Sequence, residues 1–541
     1  MFINFSEIPG NYNLFLDYLY NFENVKEFYP TDFRDKDKYL QKFKKVAESS
    51  SGLRAELFSI ISAQYNNVSP SGETNKNINL LKNENTLAIV TGQQIGILSG
   101  PLYTLYKIIT AIKLSKFLSE RYDTFNFVPI FWLESDDHDF NEIRSINIIN
   151  QTNDLVNIFY GDELHEGDNI GSVGLLKVNH SIHEFFSRLD ENLRKTEFTS
   201  EIIKQLKNFY KEGNSLKEAF KQLIFWLFDY YGLLVFDPQD SKVKNLLKPV
   251  FKKEITDFRK HTAKLVNVSA TLEEKYHAQV KVKPINLFYS IDGGRFLIEP
   301  LENEFGLKRK RKKFTYDELM ELIENEPKNF SPNVLLRPIC QDTILPTAFY
   351  VAGPSEISYF AQVMPLYEFY NIETPFLYPR SSATIVEKNI TAILDKYDIN
   401  ITGLFIDQEK VKQKIVESIS KTALDQIFNE LTAKIDIAFD ELKERLFEFD
   451  RSISEASLKY KGKVFHYTNE LKNKAIESQK RKYESTLRQI DKAIIKIYPD
   501  NNLQEREINF IYFANKYGVD ILKQIFEELK INKFEHQIIS L

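Results

Sequence analysis

Two groups of residues in one short stretch have the types and spacing of a reactive site. The first is Gly92, Gly96, Gly100, Pro101 and Lys107; the second is Glu134, Asp136, Asp137, His138 and Asp139. Glycines at four-residue intervals ahead of a proline predict a loop running into a helix, with Pro101 in the first turn, where its missing N–H costs nothing. Such a helix start offers unpaired N–H groups and the positive end of a dipole, which suits a phosphate or carboxylate. Lys107, two turns in, is placed to reach back toward that anion. Asp137, His138 and Asp139 have the chemistry to take a proton from an amine or to hold a divalent cation. The plainer alternative is that the glycines let helix and strand pack closely and the acids cap a helix or sit in a solvated turn.

The elements that must position these groups are legible around them. Thr86 to Thr91 is a short apolar run between turn signals, the pattern of a buried strand. A helix from about Pro101 to Ser119 follows, with Leu102, Tyr106, Ile109 and Ile112 near one face. Phe127 to Leu133 is the next strand. This is a βαβ unit, whose crossover is right-handed and whose ligands sit beyond the carboxyl ends of the strands. Both loops lie at that end.

Further along, YGLLVFDP at Tyr231 predicts another strand of the parallel sheet. Val334 to Leu336, Thr347 to Val351 and Pro375 to Tyr378 read as strands, and Gly353-Pro354 as a second loop-helix junction. The polar residues Arg337, Gln341, Asp342, Glu356 and Arg380, with Tyr359 after Glu356, converge on the first two loops if all lie in one sheet. Arg337 and Arg380 suit carboxylates through a bidentate fork. Singly, each reads better as a buried ion pair or cap; the set reads as a site.

Composition bounds the rest. A length of 541 residues suggests about three or four domains. A hydrophobic fraction of 43% permits large cores, and a net charge of −5 makes no electrostatic case for nucleic acid. The single cysteine, Cys340, excludes an internal disulfide framework and reads as a small buried thiol. The N-terminal stretch has acidic residues and no basic n-region, and no apolar run reaches the roughly 18 residues of a membrane span, so a cytoplasmic protein with no membrane partner is expected.

Two insertions are expected, at about 150–228 and 240–330. In the first, Gly161, Gly167, Gly171 and Gly174 suggest turns, and His180 and His183 read as surface histidines with no ligand partner beside them. In the second, Val280 to Pro284 and Leu287 to Glu299 read as strands around Asp292-Gly293-Gly294, and the basic run Lys308 to Lys313 as a solvated helix or loop. No metal-ligating set is assigned.

From about 408 to 497 the chain is nearly free of proline and glycine. Phe428, Leu431, Ile435, Ala438, Leu442 and Phe449 follow alternating three and four spacing, and Tyr483, Leu487, Ile490, Ile494 and Ile497 repeat it. A turn at Glu448 to Ser454 makes this an antiparallel coiled coil with arms of roughly forty residues, about 60 Å each. Its outer surface is a natural dimer contact.

The blocks TGQQIGILSGPLYTLYKIITAIK, VPIFWLESDDHDFNEI, SPNVLLRPICQDTILPTAFYVAGPSEISYFAQ and PFLYPRSSATIVE, and LQEREINFIYFANKYG after the coiled coil, resemble those of the bacillithiol biosynthesis cysteine-adding enzyme family. The resemblance runs along nearly the whole chain in order. It implies an α/β fold: a Rossmann-like parallel-sheet core with inserted connecting segments over 1–400, a coiled-coil dimerisation domain over 401–499, and a C-terminal helical segment, 500–541, packing on the core. It implies a homodimer, and a ligase that joins cysteine to glucosaminyl-malate. The family pattern falls on Gly92, Gln93, Gln94, Gly96, Gly100, Pro101, Tyr103, Thr104 and Lys107, on Asp137 to Phe140, and on Gly353 to Ile357. Ser99-Gly100 stands where many relatives carry two glycines, and Cys340 where an aliphatic residue is usual.

The chemistry expected of such a ligase is amide formation on a cysteine carboxylate activated by ATP, with magnesium a further candidate. Phosphates are expected at the Gly100-Pro101 helix start and on Lys107, Asp137 or His138 as general base beside Asp139, and Arg337 or Arg380 on the malyl carboxylates. Neither GxxxxGK[ST] nor GxGxxG is present. The alternatives are a nucleotidyl-transfer enzyme acting on another small amino sugar or acid, and a non-catalytic coiled-coil scaffold.

Overall fold

The computed structural model describes residues 1–162, 168–419 and 424–541; Gly167 and residues 420–423 of the expected hairpin lie outside the described residues. The chain divides into two compact units, 1–385 with 502–539, and 386–501 with 540–541.

The first unit is built on five strands: β1 (Thr86–Gln94), β2 (Asn126–Glu134), β3 (Leu234–Phe236), β4 (Thr347–Ala352) and β5 (Phe376–Pro379). All pairings are parallel, in the order β3-β2-β1-β4-β5. β1 is buried from Thr86 to Gly92, as a central strand covered on both faces must be. The crossover from β1 to β2 is the helix α1 (Tyr103–Arg121). It starts two residues later than the sequence predicts, because Pro101 and Leu102 complete the loop. Strand order reverses between β1 and β4, and a crevice opens beyond the carboxyl ends at such a switch point.

Val334 to Leu336 is not a strand. The Asn333 side chain accepts the amides of Leu335 (2.9 Å) and Leu336 (3.0 Å), turning the chain into helix α2 (Arg337–Ile344) with Pro338 in its first turn. Helix α3 (Pro354–Tyr370) leaves the end of β4.

In the second insertion Val280 to Pro284 forms no strand. Leu287–Ile291 and Gly294–Pro300 do, as an antiparallel hairpin whose turn residues Asp292 and Gly293 have φ of +52° and +75°. Lys308 and Arg309 of the basic run form a turn, and the rest is an edge strand, Lys310–Phe314, paired with Phe305–Leu307 through a register shift, in place of the expected helix or loop; Arg311, Lys312 and Lys313 are exposed while Phe314 is buried. Phe330–Pro332 completes this five-stranded sheet on the other edge.

The first and last strands, Phe2–Ile3 and His536–Ser540, pair antiparallel, with Ile3 opposite His536. In the second unit, α4 (Leu424–Phe449) and α5 (Arg451–Lys482) make the expected hairpin. Its turn is a single residue, Asp450, whose carboxylate caps the amides of Ser452 (2.7 Å) and Ile453 (3.2 Å). No helix among the described residues is long and apolar enough to cross a membrane.

Candidate functional site

A cavity of about 660 Å³ opens beyond β1, β2 and β4, at the switch point. Gly92 near the end of β1 leaves little room for a side chain: a Cβ would lie 3.1 Å from both Glu134 Oε1 and the Trp132 carbonyl. Of the residues singled out in the sequence, Gln93, Gln94, Tyr103, Lys107, Glu134, Asp137, His138, Arg337, Gly353, Glu356, Tyr359 and Arg380 line this cavity. Gly96, Gly100, Pro101 and Thr104 line a smaller one of about 220 Å³ beside it.

Three residues belong to neither. Asp139 caps the short helix Phe140–Ile143 through the Glu142 amide (3.1 Å). Gln341 and Asp342 point into the packing behind α2: Gln341 accepts from Arg337, and Asp342 accepts from Gln341 (2.8 Å) and from the Tyr367 hydroxyl (2.5 Å). Burial pushes the Asp342 carboxyl up to about 6. The sequence puts both at a strand end because Val334 to Leu336, just ahead of α2, reads as a strand.

The cations expected to meet substrate are already engaged. Lys107 is 3% exposed, and its ammonium meets Glu356 Oε2 (2.5 Å), the Gly92 carbonyl (2.8 Å) and Gln93 Oε1 (2.9 Å). All three of its N–H bonds have acceptors, so it ties α1 to β1 and α3 and has no donor left for a phosphate. Burial acts to raise the Glu356 carboxyl, but Lys107, the Gly353 amide and the Tyr350 hydroxyl outweigh it and hold the group below its usual value. Arg337 pairs through Nε with Glu134 (3.0 Å) and gives its other nitrogens to Gln341, Tyr350 and Tyr359. Arg380 pairs with Glu505 (2.7 Å) and the Ser381 carbonyl, its guanidinium 5.4 Å from the Tyr103 ring centre. Neither arginine holds an open fork for a carboxylate; each is the buried ion pair of the plainer reading.

The structure adds residues that sequence reasoning passed over. Lys244 pairs with Asp136 (2.7 Å). Arg295 follows the Asp292-Gly293 turn of the inserted sheet. It donates to Ser331 Oγ (2.8 Å), the Pro332 carbonyl (2.7 Å) and His138 Nδ1 (3.0 Å), with its guanidinium 3.8 Å from the Phe288 ring centre. A guanidinium can only donate, so Nδ1 of His138 is the acceptor and the ring proton sits on Nε2. Burial and Arg295 both draw the His138 pKa down, against Asp137 and Asp139. His138 is therefore a neutral donor toward the cavity and has no free lone pair with which to act as a base.

The carboxylates left with access are Asp137 and Glu142, bridged by the Gln94 side-chain amide at 2.5 and 2.8 Å. Burial, then Asp137 and Asp139, raise the Glu142 pKa, while its bond to Gln94 opposes them. Both line the main cavity. Arg506, on the short helix α6 (Gln504–Glu507), lines both cavities. Cys340 is fully buried at the cavity wall, and desolvation drives its thiol far up, so it is no nucleophile. Away from the site, His180 and His183 do have a carboxylate neighbour, Glu212, with oxygen-to-nitrogen distances of 3.8 and 3.5 Å; the three are exposed.

The loop ahead of α1 holds an unusual shape. Leu98, Ser99 and Gly100 have φ of +49°, +73° and +66° in succession. Two of the three bear side chains that disfavour this region, so the surroundings must impose it. The Tyr210 hydroxyl accepts the Leu98 amide (3.0 Å), and Asn509 donates its side-chain amide to the carbonyls of Leu98 (2.8 Å) and Gly100 (2.6 Å). Gly96 is confined too: a Cβ there would sit 3.1 Å from the Gly100 Cα.

Comparison with known proteins agrees with this architecture. Residues 1–381 match the model of the bacillithiol biosynthesis BshC N-terminal Rossmann-like domain, and residues 383–541 that of the BshC C-terminal coiled-coil domain. A relative from Salinibacter ruber is 33% identical over 98% of this chain and 96% of its own length. One from Chloroherpeton thalassium is 32% identical over 97% and 96%. Both are named "Putative cysteine ligase BshC". With the two family models matched over residues 1–381 and 383–541 and a parallel sheet whose switch point opens into the cavity, the chain belongs to the bacillithiol biosynthesis BshC family.

Proposed function

We propose that this protein is a cytoplasmic ligase that forms an amide between the cysteine carboxylate and the amine of glucosaminyl-malate, the closing step of bacillithiol synthesis. The observation that carries the reading is family membership over both domains together with a polar cavity at the switch point. A free carboxylate is a poor acyl donor, so ATP, with magnesium, is the expected source of activation. The chain has one feature that fits a phosphoryl oxygen: the Thr104 Oγ1 at the start of α1 is buried and has no hydrogen-bond partner.

The chain's own groups divide the remaining work. The sugar ammonium must lose a proton before it attacks, and Asp137, with Glu142 beside it, accepts that proton. His138 donates through Nε2 to oxygen that gathers charge as the new C–N bond forms. The carboxylate oxygen departs with the activating group. Lys107 and Arg337 fix the frame by pairing with Glu356 and Glu134.

The second unit is proposed as the dimer contact: on the hairpin, Ile437, Phe447 and Phe449 are 60, 61 and 84% exposed, more apolar surface than a free helix pair usually leaves in water.

The test is mass-spectrometric detection of the cysteinyl amide from purified protein, cysteine and glucosaminyl-malate, with and without ATP and magnesium. Product that requires ATP is expected, with Asp137→Asn slowing it by about 10²–10⁴. Absence of product in every mixture overturns the ligase reading, and an unchanged rate in Asp137→Asn removes that residue as the base.

A further inference from the structure

Among the charged groups of the two cavities, one cation stands apart. Lys107, Lys244, Arg337 and Arg380 are each in an ion pair, and Arg295 spends its donors on Ser331, Pro332 and His138. Arg506 has no ion pair and no side-chain hydrogen bond among the described residues. A guanidinium with five donors in a half-buried wall, with no acceptor, is built to meet one that arrives with a ligand.

Three features of the smaller cavity meet at the same place. Its floor is the start of α1, a helix of 19 residues whose dipole end is positive. Thr104 lines it, has no exposed surface, and carries the unpartnered Oγ1. Arg506 forms its wall toward the main cavity, and Gln93, Gln94, Tyr103 and Glu142 line both spaces with it. The two carboxylates on the rim are accounted for: Glu142 accepts from Gln94, and Glu507 from Asn147 (2.9 Å) and Asn502 (2.8 Å). At about 220 Å³ the space is below the roughly 300 Å³ at which pockets take whole small molecules, so it suits one group of a ligand whose body lies in the main cavity.

We propose that the smaller cavity is an oxyanion subsite, in which Arg506 and Thr104 Oγ1 hold a phosphoryl or carboxylate group of the substrate at the start of α1. The identity of that substrate rests on the ligase reading; the subsite does not. It transfers to Arg506 the role that the sequence suggested for Lys107, Arg337 and Arg380.

The test is isothermal titration of full-length protein with sodium pyrophosphate and, separately, with L-malate. Wild type is expected to bind one of the two, and which one binds separates a phosphoryl source from a carboxylate source. Arg506→Ala is expected to weaken that binding at least about tenfold, Arg506→Lys less, and Thr104→Val severalfold, with Thr104→Ser close to wild type. Thermal melts confirm that each variant is folded; if Arg506→Ala is not, Arg506→Lys, which keeps the charge and loses the fork, carries the comparison. Wild type that binds neither anion, or folded Arg506 variants that bind as wild type does, overturns the proposal. Pyrophosphate binding lost in Arg506→Ala, in a protein that makes no amide product, keeps the subsite and removes the ligase reading.

Discussion

Burial decides which of the site's ionisable groups are free to act. His138 looks like a general base in the sequence because histidine titrates near neutrality and sits between two aspartates. Arg295, 157 residues away, occupies its Nδ1 and changes its role. Replacing Arg295 with Ala removes that donor and a neighbouring positive charge, so the His138 pKa should rise toward its ordinary value, with burial alone left to oppose Asp137 and Asp139. A proton NMR titration of the imidazole measures this; a pKa that stays put would contradict the assigned tautomer. Of the residues legible beforehand, Gln94 and Glu356 share short stretches with a glycine or Gly-Pro signal, and Asp137 and His138 lie in an acidic run at a strand end. Arg295, Glu142 and Arg506 carry no local pattern. What brings them to the cavity is the neighbour each meets in space, and a single sequence does not display that.

At the scale of elements, the βαβ unit at 86–134 was readable because apolar run, glycine loop, Pro101 and apolar run each say the same thing. Val334 to Leu336 misled because three apolar residues fit a buried strand or a helix entry equally well. The deciding signal was Asn333 ahead of Arg337-Pro338. The terminal ribbon offers a test of element stability. His536, fully buried, has its ring nitrogens on Ser382 Oγ (2.7 Å) and Thr384 Oγ1 (2.9 Å), and Phe5 packs on the ring edge. Burial draws its pKa down to about 4, with Glu505 pulling upward and Arg380 downward. Between pH 4 and the ordinary 6.5 the unfolded chain holds a proton that the folded chain does not. The stabilisation is thus complete above about 6.5 and is lost as pH falls toward 4, by about 3 kcal/mol. Urea unfolding at pH 7.5 and 4.5 should show that decline in wild type and a smaller one in His536→Gln; equal declines would remove His536 as the cause.

At the scale of the whole molecule, the hairpin pattern gave away two long helices but not how much of their apolar surface stays uncovered. Phe428 is buried as a seam residue should be, while Leu431 and Leu442, on the same expected seam, are 39 and 44% exposed. The proposed second copy would cover that surface. Sedimentation at micromolar concentration is expected to give twice the 63.4 kDa chain mass, and Ile437→Glu with Phe447→Glu to return it to the monomer; a monomeric wild type would refute the contact.

The clamp of Asn509 on the loop of Leu98 and Gly100 spans 411 and 409 positions of the chain. Translation at about 5–20 residues per second puts on the order of 20–80 s between the synthesis of that loop and that of its clamp. The strands of the sheet can pair on the ribosome well before then, but the bend that opens the smaller cavity is held only by the Tyr210 hydroxyl on the Leu98 amide until Asn509 is made. A chain that stops short of Asn509 therefore carries the sheet but lacks the clamp on the two carbonyls of that loop.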